Sequence, residues 1–318
     1  MNAAPASAAE VARLIGEAGP AGVSCRRQPG CGHWHLDLSR LSQLRFYTPG
    51  DLTVGAEAGM TVAALNAALA PEGQFVPLDV AAPERATLGA VLAEHRSGPW
   101  RQRYGSVRDF TIGLEMATAA GELAHCGGRV VKNVAGYDWM KPVIGGRGAL
   151  GIITAVNFKV FPLPRGVLTA RCAPLDWDEV EALRLALLRS LLRPLAVELE
   201  SHPERGRSVW VQCAGSPAVL ARCRGELTAI GHFEFTESPL PQAPARAGRL
   251  CLPPAQAVAA LAALGPAAHV VGRLGLGVFE VAPAPASPPV PAGAARLMRQ
   301  LKAALDPDGR LHGDHCRG

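Results

Sequence analysis

Residues 86–164 read ATLGAVLAEHRSGPWRQRYGSVRDFTIGLEMATAAGELAHCGGRVVKNVAGYDWMKPVIGGRGALGIITAVNFKVFPLP. Glycines recur where a backbone must turn tightly or come close to a ligand. Between them lie short apolar runs with few nucleophiles or metal ligands. This pattern predicts a cradle for a large, phosphate-bearing cofactor rather than a hydrolytic site.

Within it, Gly146-Arg147-Gly148-Ala149-Leu150-Gly151 fits G-x-G-x-x-G, which has meaning only between a strand and a helix. The next residues, Ile152 through Val160, form a β-branched run. It places Thr154, Val156, Phe158 and Val160 on one face, with Asn157 and Lys159 on the other. That alternation predicts a strand. No acidic residue closes a second strand about 20 residues on, where a ribose would need it. The dinucleotide-fingerprint reading is therefore rejected.

Other motifs stand in a telling order: Thr87-Leu88-Gly89, Ser97-Gly98, Arg103 to Asp109 (RYGSVRD), Lys132 to Asp138 (KNVAGYD) and Gly148 to Thr154 (GALGIIT). In this order they resemble the FAD-binding domain of the vanillyl-alcohol oxidase / p-cresol methylhydroxylase superfamily. Within it they lie nearest the FAD-binding accessory subunits of bacterial glycolate oxidases. Leu36 to Leu41, Asp51 to Val54, Glu57-Ala58-Gly59 and Pro77-Leu78-Asp79 fit as well. Gly248 to Pro254 and Leu301 to Gly309 echo it more faintly.

The resemblance implies an α+β fold: a PCMH-type FAD-binding domain of two α+β subdomains, followed by a small α+β cap domain. It also implies a cofactor, FAD, with Pro77, Thr87, Leu88, Gly89, Ala90, Ser97, Gly98, Tyr104, Gly105, Gly148, Gly151 and Ile153 along it. The turn at Thr87–Ala90 and Ser97-Gly98 would line the pyrophosphate and ribityl chain. Tyr104-Gly105 would continue that channel, and 151–153 would meet the cofactor with backbone groups. Thr87 reads as an N-cap before Leu88, Val91 and Leu92, and a helix start offers N–H groups to an anion.

Three stretches depart from the superfamily's pattern. Its usual glycine-rich phosphate loop is replaced by Val23 to Trp34 (VSCRRQPGCGHW). There Pro29 lacks an N–H, and side chains at 31 and 33 crowd a close backbone approach. Ala90 stands where a second glycine is usual. Arg147 brings a positive charge suited to a phosphate. These departures leave the fold intact and bear on affinity for FAD.

The 318 residues suffice for two domains with substantial cores. A net charge of +5 could suggest nucleic acid or anionic lipid. Yet only four of the 32 basic residues are lysines, and the arginines are scattered without interleaved aromatics. Eight cysteines, none in C-x-x-C spacing, read as reduced thiols rather than zinc or iron–sulfur ligands. The N-terminus lacks a signal-peptide pattern and no run reaches membrane-spanning length. The expected location is cytoplasmic, with peripheral attachment to the inner membrane only through a complex.

The expected domains are 1–165 for FAD binding, 166–281 for the cap, 282–293 as a proline-rich linker, and 294–318 as a C-terminal helix and tail. Strands are expected over 44–58, a helix from Thr61, and a hairpin turning at 119–121. In the cap, a helix is expected over 176–192 with Val180, Leu183, Leu187 and Leu191 on one face. Strands are expected at 168–172, 196–200 and 209–213, and helices at 217–230 and 254–264. Further strands are expected near Phe233 and Leu250.

Oxidation of a 2-hydroxy acid by a flavin needs a held cofactor, a cation for the carboxylate and a base. No residue is assignable as catalytic. His95 and His125 lie nearest the cofactor motifs, but an isolated histidine is more often structural. His312-Gly-Asp-His315-Cys316 has ligand types without ligand spacing and reads as a tail. There is no G-x-S-x-G, H-E-x-x-H or P-loop.

The leading reading is an FAD-binding subunit of a glycolate oxidase-like complex. Its partners would be a catalytic flavoprotein subunit and an iron–sulfur subunit. Two alternatives stay open: a scaffold subunit binding little or no FAD, and an independent FAD-dependent hydroxy-acid dehydrogenase.

Overall fold

The computed structural model describes residues 2–25, 33–129, 138–245, 247–286 and 290–312. The segments 26–32 and 130–137, where the altered loop and most of the KNVAGYD motif fall, lie outside the described residues.

In chain order the first elements are β1 (Asn2–Ala3), α1 (Ala8–Ala18), β2 (Val23–Ser24), β3 (Trp34–Leu36), β4 (Leu44–Thr48), β5 (Thr53–Glu57), α2 (Val62–Leu69), β6 (Gln74–Phe75), α3 (Leu88–Ala93) and α4 (Arg101–Tyr104). Then come α5 (Val107–Phe110), β7 (Thr111–Ala117), β8 (Leu123–Gly127), α6 (Met140–Val143), β9 (Ile152–Lys159), β10 (Phe161–Pro162), β11 (Val167–Leu175) and α7 (Trp177–Arg189). The remainder are β12 (Ala196–His202), β13 (Gly206–Ala214), α8 (Pro217–Ile230), β14 (Glu234–Thr236), β15 (Gly248–Cys251), α9 (Pro254–Ala262), β16 (His269–Arg273), β17 (Val278–Ala282) and α10 (Ala292–Leu305).

The chain divides into two units. The first comprises Met1–Gly98, Gly105–Leu163 and Val290–Gly318, and the second Pro99–Tyr104 and Pro164–Pro289. The C-terminal helix and tail thus belong to the first unit, while the short segment carrying α4 belongs to the second.

In the first unit a parallel sheet of order β1-β3-β2 packs beside α1. Ser7 caps α1 by accepting from the Glu10 N–H, and Val11, Leu14 and Ile15 turn inward at the helical spacing. A second, antiparallel sheet runs β4-β5-β9-β7-β8. Its inner face (Val54, Ala56, Leu114, Val156, Phe158) packs on Val62, Leu65 and Leu69 of α2 and on Leu88, Val91 and Leu92 of α3. Each such fully buried side chain stabilises by about 1.5–3 kcal/mol.

β9 is the expected strand, but not with the expected face throughout. Glu115 pairs with Ala155 while Met116 pairs with Ile153, so Thr154 is an extra residue in a bulge. Ile153 takes the core face, and the Thr154 hydroxyl donates instead to Glu115 Oε1 at 2.8 Å.

The second unit is a seven-stranded antiparallel sheet of order β14-β11-β13-β12-β16-β17-β15. Helices α7, α8 and α9 cover one face, packing Val180, Leu187, Leu227 and Leu261 on Val197, Leu199, Val211 and Phe279. The hairpin β16–β17 has no counterpart among the expected elements. Its strands are short, and its turn reads Leu274-Gly275-Leu276-Gly277, with no N-G or D-G signal. α7 also ends earlier than expected. Ser190 Oγ donates to the Leu187 carbonyl and accepts from the Leu192 N–H, which stops the helix at Arg189 and leaves Leu191 81% exposed.

The helix-free face of this sheet is polar. In cross-strand register, Arg171 stands opposite Glu234 and Trp210, Trp210 opposite Glu198, and Glu198 opposite Arg273. Glu198 is only 2% exposed, and the Arg171 guanidinium lies 5.5 Å from the Trp210 ring centre. Next to this row the Trp100 indole donates to Gln212 at 2.7 Å, and Gln212 donates to Thr169 at 3.2 Å.

Candidate functional site

A cavity of about 280 Å³ opens in the first unit. Ser24, His35, Asp37 and Ser39 form one wall, following the strands β2 and β3. Ala58-Gly59 and the start of α3 (Thr87, Gly89, Ala90) form a second, and Arg147, Gly148, Gly151 and Ile153 a third. His312, near the C-terminus, completes it.

Close packing decides why several of these positions are small. A Cβ on Gly59 would stand 1.9 Å from the Leu38 carbonyl oxygen, and one on Gly89 would stand 3.0 Å from Ala58 Cβ. Gly148 is different: its φ is +82° and a Cβ there would meet nothing within 4 Å. The turn before β9 therefore selects glycine by conformation, and its open side faces the cavity. Arg147 beside it also takes a left-handed φ of +50°, with its N–H donating to the Ala93 carbonyl at 2.9 Å.

The start of α3 corrects one expectation. Its N–H groups are used by the protein itself: Leu88 donates to Met60 O at 2.9 Å, Gly89 to Ala58 O at 2.7 Å, and Ala90 to Thr87 Oγ1 at 3.3 Å. Tight docking of this helix on the turn after β5 uses up the donors that a free helix end would offer an anion.

Six of the expected cofactor residues line the cavity: Thr87, Gly89, Ala90, Gly148, Gly151 and Ile153. The other six stand elsewhere. Leu88 and Pro77 are buried in the core. Gly98 packs on the 77–79 turn, where a Cβ would lie 1.6 Å from the Asp79 carbonyl oxygen. Ser97 is beside it and is not part of the wall. Gly105 packs on Asp109, whose carboxylate accepts from the Ser106 N–H at 2.6 Å and hydroxyl at 2.7 Å. The RYGSVRD motif is thus a capping box for α5, and Tyr104 belongs to the second unit. Gly151 has protein rather than open space on its Cβ side, with Met116 Sδ at 2.9 Å.

His35, Asp37, Glu94 and His312 also stand in the wall, outside the expected set. The Asp37 carboxyl is held below its ordinary range by the Ser39 N–H, at 2.9 Å, then by the Ser39 hydroxyl, with a smaller contribution from His35. His312 arrives through tertiary pairing that no local signal announces. Val23 N–H donates to Arg310 O at 2.7 Å and His312 N–H to Val23 O at 3.0 Å. Leu311 thereby forms an isolated parallel bridge with Val23, beside β2. The stretch up to His312 is therefore tied to β2 by backbone hydrogen bonds, and 313–318 lie outside the described residues.

Neither His95 nor His125 lines the cavity. His125 sits on the outer face of the antiparallel sheet, 2.9 Å from Glu115. Glu115 also accepts from Arg45 at 2.9 Å. Burial pushes the Glu115 carboxyl up, but Arg45, Thr154 and His125 together outweigh it and leave it low.

The cavity residues fit one part of a long, phosphate-bearing cofactor. The walls are small and glycine-rich, Arg147 supplies a fixed positive charge, and His35 Nδ1 is buried without a hydrogen-bond partner among the described residues. Its volume is near the lower end of the ~300–1,000 Å³ of small-molecule pockets. Among the described residues no group of three or more His, Cys, Asp or Glu side chains has metal-binding geometry, and no helix is long and apolar enough to cross a membrane.

Comparison with known proteins agrees with this geometry. Residues 3–127 match the family model of the FAD binding domain. The chain is 40% identical over 126 residues to glycolate oxidase subunit GlcE of Escherichia coli (strain K12), covering 39% of this chain and 36% of that protein. It is 34% identical over 168 residues to glycolate oxidase subunit GlcD of Bacillus subtilis (strain 168), covering 53% of this chain and 36% of that protein. The chain thus matches little more than a third of the length of either relative. Its fold is that of a solved alkyldihydroxyacetonephosphate synthase, with a TM-score of 0.73 at 16% identity over 98% of this chain and 75% of that one.

Proposed function

We propose that this chain, with an FAD binding domain over residues 3–127 and FAD as its cofactor, is the FAD-binding subunit of a complex oxidising a small 2-hydroxy acid. The substrate on this reading is glycolate and the product glyoxylate. The partners are a catalytic flavoprotein subunit and an iron–sulfur subunit, in the cytoplasm and peripheral to the inner membrane through the complex. FAD, when bound, accepts the two electrons that leave the hydroxy acid. This chain's contribution is to hold it. The turn at Gly148 leaves open space beside the cavity, and Arg147 stands in the same wall.

The observation that carries this reading is the glycine-walled cavity, lined by six of the residues that the resemblance sets along FAD. Likeness to two glycolate oxidase subunits supports the substrate class. The test is the visible spectrum of the purified chain after gel filtration in the presence of FAD. Bleaching by glycolate is then followed with and without a co-purified flavoprotein subunit. A retained flavin band that glycolate bleaches only in the complex is the expected result. A chain that stays colourless would make it a scaffold subunit.

A further inference from the structure

The geometry points to His35 and His312, together with Arg147, as the anion-binding wall of the FAD cavity. The segment up to His312 is then part of the cofactor site, and FAD binding is linked to proton uptake. This rests on FAD being the ligand of the first unit.

FAD brings a pyrophosphate with two negative charges into an enclosed space. The start of α3 does not meet them, because Leu88, Gly89 and Ala90 already donate to Met60, Ala58 and Thr87. Among the described residues, the cationic or protonatable side chains in the cavity wall are Arg147, His35 and His312. His35 is built for a ligand in one specific respect: its Nδ1 is buried and unpaired among the described residues. A buried polar atom without a partner is costly unless something supplies one.

His312 is placed by construction rather than by chance. The backbone hydrogen bonds of Arg310 and His312 with Val23 fix its backbone. Its ring stacks on His33 with centroids 3.5 Å apart and planes 12° from parallel. Gly22 admits the ring, since a Cβ at position 22 would lie 2.2 Å from His312 Nε2. Behind it, Lys302 Nζ donates to Ala149 O at 2.9 Å and to Leu311 O at 2.7 Å. This ties the tail to the turn that bears Arg147 and Gly148.

The charges facing the site set the direction of the pH effect. The acids in the wall are Asp37 and Glu94, and the Cys25 thiol lines it as well. Glu94 is engaged by Arg96 at 2.6 Å, and Asp37 by Ser39. His33 lies behind His312. Among the described residues the wall holds Arg147 against Asp37, and Glu94 is paired with Arg96. Protonating His35 and His312 gives the wall two positive charges, which match a pyrophosphate. Histidine carries its charge at the acid end of the physiological range, so FAD should bind more tightly as pH falls, taking up protons as it does so.

The test uses the full chain stripped of flavin, titrated with FAD and separately with riboflavin from pH 6 to 8, reading the change in flavin fluorescence. The dissociation constant for FAD is expected to rise about tenfold or more across this range, while that for riboflavin, which has no phosphate, stays flat. His312→Gln and His35→Gln should each weaken FAD at pH 6, leave it nearly unchanged at pH 8, and flatten the slope. Arg147→Gln should weaken FAD at every pH. Circular dichroism melting of each variant separates loss of the wall from loss of fold. A pH-independent constant for the parent chain would overturn the inference, as would unaltered slopes in both glutamine variants. Failure of the parent to bind either flavin at any pH would overturn the FAD reading beneath it.

Discussion

The segment from Arg310 to His312 is clasped by the Asp306 carboxylate, and replacing Asp306 by alanine should loosen it. Asp306 is 3% exposed. It accepts from the Arg310 N–H at 2.7 Å, the Leu311 N–H at 2.8 Å and the Lys302 ammonium. Alanine leaves two backbone donors and one ammonium without their acceptor. A buried donor stranded this way costs ~1–3 kcal/mol, and breaking a buried ion pair ~3–5 kcal/mol. These costs share atoms, so the expected loss is about 3–5 kcal/mol rather than their sum. Asparagine keeps an acceptor but loses the charge, and should cost about half as much. Urea unfolding followed by circular dichroism measures the loss. Because two units can unfold separately, amide exchange at Val23, Leu311 and His312 shows where it falls. A cost below about 1 kcal/mol for Asp306→Ala, with those amides still protected, would refute the clasp.

The packing leads to three further outcomes. Gly98→Ala should prevent stable folding of the first unit, since its Cβ would overlap the Asp79 carbonyl oxygen. Gly148→Ala, open but at φ +82°, should cost only about 1–2 kcal/mol of backbone strain; melting temperatures of the two variants decide. Glu115→Gln should lose about 1–3 kcal/mol at neutral pH. Its carboxyl is lowered in the fold, so the parent's advantage is full above the unfolded value near pH ~4.3 and disappears as pH falls through the folded one; urea midpoints at pH 7 and pH 3 test this. Leu187→Ala should cost about 2–5 kcal/mol, whereas Leu191→Gln should stay within about 0.5 kcal/mol; equal losses would mean that α7 continues past Ser190.

Much of the first unit was legible residue by residue. The helix start at Thr61, the cap at Thr87 and the strand at Ile152 depend on neighbours a few positions away. Half of the expected cofactor residues line the cavity, because glycine-bearing turns keep their place between the elements they join. Gly98 and Gly105 are required by contacts with Asp79 and Asp109, and a sequence motif does not distinguish a glycine that makes room for protein from one that makes room for a ligand.

What the chain's own letters determined was many of the longer helices and strands, the glycine-rich turns and the kinship with flavoproteins, since capping, periodicity and motif order are local properties. Tertiary structure alone decided the rest. It placed Thr154 in a bulge against Glu115, and joined β16 and β17 to a seven-stranded sheet. It used up the N–H groups of α3 on Ala58 and Met60, and it brought His312 beside β2, some 290 residues away in sequence. Each is a hydrogen bond or close contact between distant segments. Such pairings are chosen by which backbone groups remain unsatisfied once the local elements have formed, and that remainder is visible only in three dimensions.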